Sequence, residues 1–105
     1  MSKFESVSVV KAANVYFDGN VSSRTVEFGD GSTKTLGLML PGEYTFNTDK
    51  PELMEITSGH VSYCLKGEET WNSVSGGQSF NVPGQSSFQI KVTAITDYIC
   101  SFLSE

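Results

Sequence analysis

The sequence predicts an all-β fold, and three observations carry that expectation. No ten-residue window keeps a helical apolar period, short segments rich in Val, Ile, Thr, Tyr and Phe recur along the chain, and Gly, Pro, Asn and Asp punctuate the intervals. A length of 105 residues leaves room for one hydrophobic core, so residues 1–105 are expected to form a single small domain. Many short strands at this spacing suit a barrel or a sandwich.

The first predicted strand, residues 21–28, is reversed by Gly29, Asp30, Gly31 and Ser32, and residues 33–40 return as its hairpin partner before Pro41 and Gly42. Residues 43–47 come next, and a proline-containing turn at 48–51 leads into a strand at 53–57. Ser58 and Gly59 then make a tight reversal into 60–65. The remaining predicted strands are 70–74, 79–82, 86–93 and 97–103, separated by 66–69, by Gly76 and Gly77, by 83–85 and by the short 94–96. Alternation places Tyr98, Cys100 and Phe102 on one face of the last strand and Ile99, Ser101 and Leu103 on the other. Both faces are apolar enough to need cover, and pairing with a second copy of the chain is one way to cover the outer one.

Seven Lys and Arg against twelve Asp and Glu give a net charge of −5, spread without runs, which leaves no electrostatic footprint for DNA or RNA. The N-terminus, MSKFESVSVVKAANVYF, lacks the unbroken apolar segment of a signal peptide. No apolar run approaches the roughly 18 residues of a membrane span, so a cytoplasmic protein is expected. Cys64 and Cys100 each sit inside an apolar, strand-like run and are expected to be buried thiols rather than a disulfide.

Two segments together resemble the paired motifs of the cupin barrel. In residues 41–59, PGEYTFNTDKPELMEITSG, Gly42 opens the first motif, Tyr44 and Phe46 occupy the positions of its His-x-His pair, and Glu52 precedes Gly59 at the motif's interval. In GGQSFNVPGQSSFQI, Gly77 and Pro83 keep the spacing of the second motif, and Phe88 stands at its histidine position. Three of the four usual ligand positions are therefore aromatic. Glu52 alone does not make a transition-metal site, which needs three or four N, O or S ligands, so no metal is expected. The only histidine, His60, follows Gly59 and is read as a partly exposed turn residue.

The resemblance narrows further. NVYFDG, TLGLMLPGEYTF, ELMEITSG, GGQSFNVPGQSSFQIKV and DYICSFL, in this order and covering about residues 14–103, resemble the small cupin-type pyrimidine/purine nucleoside phosphorylases. That resemblance implies a homodimeric, metal-free cupin (double-stranded β-helix, or jelly-roll) barrel in which phosphate attacks the anomeric carbon of many nucleosides. Uridine, cytidine, thymidine, adenosine, guanosine, inosine and xanthosine would be its substrates. The free base and ribose 1-phosphate or deoxyribose 1-phosphate would be its products, with inorganic phosphate as co-substrate and no cofactor.

Such chemistry needs a platform for the base, partners for the ribose hydroxyls, an anion site and exclusion of water. In the cupin frame Tyr44, Phe46 and Phe88 project into the barrel, where they either stack a base of any kind or simply fill the core. Glu52 is the candidate to accept ribose hydroxyls and face the positive charge that develops on the sugar. Met54 shares its face as soft packing, while Glu55 lies on the opposite parity. For phosphate the candidates are Arg24, suited to bidentate recognition, and Lys34, nearer the family-like segment. The turn from Pro83 adds backbone N–H groups and the side chains of Gln85, Ser86 and Ser87. A rival reading of the same pocket is a non-catalytic cupin that binds a small sugar or metabolite.

Overall fold

The computed structural model describes residues 3–103. Eleven strands follow one another in the chain: β1 (Ser8–Val9), β2 (Asn14–Tyr16), β3 (Val21–Glu27), β4 (Thr33–Met39), β5 (Gly42–Thr48), β6 (Glu52–Ser58), β7 (His60–Leu65), β8 (Asn72–Ser75), β9 (Gln78–Val82), β10 (Ser86–Val92) and β11 (Thr96–Phe102). Among the described residues the one helical element is a single 3₁₀ turn, Phe17–Gly19, between β2 and β3. Among the described residues no helix is long and apolar enough to cross a membrane.

The strands form two antiparallel sheets. A seven-stranded sheet has the order β1-β3-β4-β11-β6-β9, with β2 also paired to β3, and a four-stranded sheet has the order β5-β10-β7-β8. They face each other across the core as a cupin-type jelly roll, although among the described residues no ladder hydrogen-bonds the two sheets into one closed ring. Inward positions recur every second residue. Val21 and Ser23 on β3, Met54 and Ile56 on β6, Phe88 and Ile90 on β10, and Tyr98 and Cys100 on β11 are all buried. Tyr63 of β7 and Phe80 of β9 stack across the inter-sheet space with centroids 3.9 Å apart, and Phe80 meets the edge of Phe88 at 6.0 Å.

The hairpin expected from residues 21–40 is present as β3 and β4, in register from Val21 opposite Met39 to Glu27 opposite Thr33. Most other expected strands appear with ends moved by one or two residues. The largest shift is at 70–74, where β8 begins only at Asn72 and Trp71 packs under Lys91 Nζ, 4.0 Å from the ring centroid. The sequence reading placed no strand before residue 21, yet β1 and β2 both add to β3. Strands of two and three residues are too short to display an alternating pattern; pairing defines them, not periodicity.

Six connections carry the chain from one sheet to the other, among them Gly59 between β6 and β7, the turn after Thr48, and the turn after Val82. The last two lie side by side. Thr48 Oγ1 donates to the Pro83 carbonyl (2.7 Å) and accepts from the Ser86 amide (3.1 Å). Gln85, in a left-handed conformation at φ 53°, aims its amide at the Asp49 carbonyl (3.0 Å) and its side-chain Nε2 at Asp49 Oδ1 (2.9 Å). Gly84 has to be glycine here, since a Cβ would lie 2.9 Å from the Asp49 carbonyl oxygen and 3.0 Å from the Pro51 ring.

Candidate functional site

Between the sheets, beside the braced pair of turns, lies a cavity of about 490 Å³. That is the size range of small-molecule sites. Its two walls differ in chemistry. On one side Phe46 of β5 and Phe88 of β10, directly opposite in register, stack at 5.6 Å with an interplanar angle of 25°, and Tyr16 meets the edge of Phe46 at 6.3 Å. On the other side the inward residues of the large sheet supply polar atoms: Ser23, Thr33, Thr35, Glu52, Tyr98 and Cys100. Lys50 and Asp49 stand at the turn end of the cavity.

The polar wall follows from strand register. Ser23, Gly37 and Tyr98 lie in one row across β3, β4 and β11, and Thr35, Cys100 and Met54 form the next. Tyr98 reaches Ser23 only because Gly37 lies beneath its ring: a Cβ at that position would overlap the Cε1 and Cζ atoms of Tyr98. Ser23 Oγ in turn accepts from Asn14 Nδ2 at 3.1 Å, and the same amide reaches Thr25 Oγ1 at 3.3 Å.

Burial sets the protonation of this wall. Desolvation raises Glu52 above its ordinary carboxylate range, opposed in part by a hydrogen bond from Cys100. The Cys100 thiol is pushed up by burial and then by the Glu52 charge beside it. Tyr98 is pushed up to about 12, chiefly by burial and by Cys100, with a hydrogen bond from Ser23 pulling the other way. At neutral pH Tyr98 and Cys100 are therefore protonated donors, and Glu52 is the one acidic group set into the polar wall. The slot suits a ligand with a flat face for the rings and a polyhydroxylated end for the polar wall.

Of the residues singled out from sequence, Phe46, Phe88, Glu52 and Met54 meet in this cavity. Tyr44 does not: it is buried behind Phe46, and its hydroxyl donates to the Leu40 carbonyl at 2.7 Å, the position of a core tyrosine with its polar end satisfied. Gln85 braces Asp49 instead of lining the cavity, and Ser87 lies on the outward parity of β10, its carbonyl accepting from the Lys66 amide at 3.0 Å. Neither expected cation reaches the interior. Arg24 is exposed on the outer face of β3 and donates to the Lys11 carbonyl, while Lys34 Nζ stands over the rings of Phe4 and Phe28 at 5.6 and 5.9 Å. Both occupy strand positions of outward parity, one step from Ser23 and Thr35, so their side chains leave by the opposite face. Glu55 likewise falls on the outward parity of β6.

Lys50 is, among the described residues, the cation that lines the cavity, and sequence reasoning passed over it because it sits in a turn with no parity to read. Tyr98 and Cys100 carried a legible signal, a shared face with Phe102, but nothing in the chain order places β11 between β4 and β6. His60 is half-buried and bonds Ser75 Oγ through Nδ1 at 2.9 Å, outside the cavity. Cys64 and Cys100 are free and buried. Among the described residues no three His, Cys, Asp or Glu side chains gather as a metal-binding group.

Residues 11–102 match the family model described as pyrimidine/purine nucleoside phosphorylase. A protein of that name from Citrifermentans bemidjiense is 62% identical over 103 residues, covering 98% of this chain and all of that protein. A crystal structure of a protein of unknown function from Acinetobacter sp. ADP1 superposes with a TM-score of 0.94 at 43% identity, over 96% of this chain and 98% of its own. The Clostridium difficile EutQ protein, 15% identical with a TM-score of 0.66 over 78% of this chain and 67% of its own, shares the fold.

The raised Glu52 has a stability consequence with a definite sign. The folded chain holds this proton more tightly than the unfolded chain, so its contribution is present below the ordinary value of 4.5 and is lost as pH rises through the raised one. Thermal melts of wild type and Glu52→Gln should therefore diverge as pH rises from roughly 4 to 8, with the variant gaining relative to wild type. A difference in Tm that stays constant over that range contradicts the burial of this carboxylate.

Proposed function

The chain belongs to the pyrimidine/purine nucleoside phosphorylase family, and from that premise we propose that it catalyses the phosphorolysis of purine and pyrimidine nucleosides to free base and ribose 1-phosphate or deoxyribose 1-phosphate. The observation that carries this reading is the two-walled cavity: an aromatic face made by Phe46 and Phe88 opposite a hydroxyl and carboxylate face centred on Glu52. A nucleoside has the same division, a flat base joined to a polyol. Uridine, cytidine, thymidine, adenosine, guanosine, inosine and xanthosine all present such a face, and stacking on Phe46 and Phe88 does not discriminate among them.

As the glycosidic bond lengthens, positive charge grows on the ribose ring, and Glu52 accepts the sugar hydroxyls and faces that charge. Burial makes this electrostatic contribution larger than it would be in water. Phosphate enters from the turn end, where Lys50 supplies a positive charge and Thr33 a neutral hydroxyl. The reaction uses inorganic phosphate as co-substrate and no metal or organic cofactor, and the enzyme works as a cytoplasmic homodimer. The outer face of the large sheet is the surface for that pairing: Leu36 and Leu38 are 40% and 37% exposed there, beside Ile99 in a groove of about 880 Å³.

Free base should be released from inosine or uridine only when phosphate is supplied, at a rate unaffected by a chelator. Release in phosphate-free buffer indicates a hydrolase, and binding without turnover indicates the sugar-binding cupin. In the same assay Lys50→Ala should raise the KM for phosphate about fivefold, equivalent to roughly 1 kcal/mol for a partly exposed ion pair. Arg24→Ala and Lys34→Ala should leave it unchanged. Phe46→Ala should raise the nucleoside KM by comparable factors for all bases, on the order of 5- to 100-fold if one stacking face is lost. Tyr44→Phe, which removes the hydroxyl's bonds to the Leu40 and Pro41 carbonyls, should keep wild-type kinetics and cost about 1 kcal/mol of stability.

A further inference from the structure

Aromatic stacking explains how a site tolerates every base, but not how it helps every base to leave. The leaving group is the harder problem, because the electron pair of the C1′–N bond must be stabilised on purines and pyrimidines alike. One acceptor is common to all of them beside the glycosidic nitrogen: N3 of a purine and O2 of a pyrimidine occupy equivalent places, the degeneracy that makes the minor groove of DNA hard to read.

A donor for that acceptor exists in the polar wall. Tyr98 is 6% exposed and lines the cavity, its ring laid flat over Gly37. Ser23 stands in the same row across the strands and lines the same cavity, and its Oγ accepts from Asn14 Nδ2 at 3.1 Å. Among the described residues the Tyr98 hydroxyl donates to no protein acceptor, so its proton is free for the cavity it lines.

Resting on the phosphorylase reading, we infer that Tyr98 donates a hydrogen bond to the purine N3 or pyrimidine O2 of the bound nucleoside, and that this contact gives the enzyme its breadth across leaving bases. A phosphate oxygen forms a bond to C1′, the C1′–N bond breaks with its pair going to the base, and the negative charge spreads onto N3 or O2, where the Tyr98 proton meets it. Tyr98 keeps its proton throughout. Monohydrogen phosphate supplies the proton that the base finally carries, leaving the sugar phosphate as a dianion, so atoms and charge balance. Asn14 and Ser23 are positioning residues that aim the phenol. The contact strengthens only as charge develops, so it acts on kcat more than on KM.

The test pairs a hydroxyl deletion in the protein with an acceptor deletion in the substrate. Tyr98→Phe should lower kcat for adenosine and uridine by about 100-fold, the usual scale for losing one donor to a developing anion. With 3-deazaadenosine, which lacks N3, Tyr98→Phe and wild type should react at rates within about twofold of each other. With 7-deazaadenosine, which retains N3, the roughly 100-fold ratio should return. Equal ratios for adenosine and 3-deazaadenosine, or a Tyr98→Phe enzyme as fast as wild type, overturn the donor role and leave the phosphorylase reading intact. Absence of phosphate-dependent base release in wild type removes both. If Tyr98→Phe fails to fold, Ser23→Ala carries the same comparison: a loss of about tenfold confined to nucleosides with the N3 or O2 acceptor supports the inference, and a loss shared by 3-deazaadenosine refutes it.

Discussion

The cavity depends on one local constraint, the bracing of two of the turns that carry the chain between sheets, the one after Thr48 and the one after Val82. Gln85 accepts a left-handed backbone so that its amide and side chain both reach Asp49, and Thr48 completes the joint by bonding Pro83 and Ser86. A left-handed conformation at a non-glycine residue costs of order 1 kcal/mol or more, and here several hydrogen bonds over-determine it. The joint fixes where β6 begins and therefore where Glu52 enters the interior. It also fixes the start of β10 and, two residues on, the placement of Phe88 against Phe46.

From that joint the two walls follow by strand parity. The small sheet gives the inward ring pair of Phe46 and Phe88, and the large sheet gives Ser23, Thr35, Glu52, Tyr98 and Cys100. Placing these polar atoms opposite aromatic rings has an electrostatic consequence. Burial raises Glu52, Cys100 and Tyr98 together, so the wall presents two protonated donors around one carboxylate. A metal-binding cupin gathers histidines at the emptied positions; this chain gathers rings there, and polar side chains of the facing sheet line the other wall.

How much of this was legible in the sequence differs residue by residue. Phe46, Phe88, Glu52 and Met54 were found because motif spacing and alternation both bear on them, and the structure brings all four to one cavity. Tyr44 shares their parity, but two residues along a twisted strand carry it past the cavity and into the core, a displacement that parity alone does not resolve. Arg24 and Lys34 were chosen by charge type, and their parity sends them to the outer face. Gln85 and Ser87 were chosen by proximity to a turn, and one became a brace and the other an outward strand residue.

The sequence by itself determined the all-β class, the succession of strands from β3 onward to within one or two residues at their ends, and the alternating faces, because these are local consequences of side-chain order. It also determined which motif positions carry rings in place of histidines, and through them the family. The tertiary structure decided which inward residues share a space. Ser23, Gly37 and Tyr98 are separated by 14 and then 61 positions in the chain, yet they form one row because β11 inserts between β4 and β6. That insertion is a long-range pairing, set by the packing of the whole core. No window of sequence contains it.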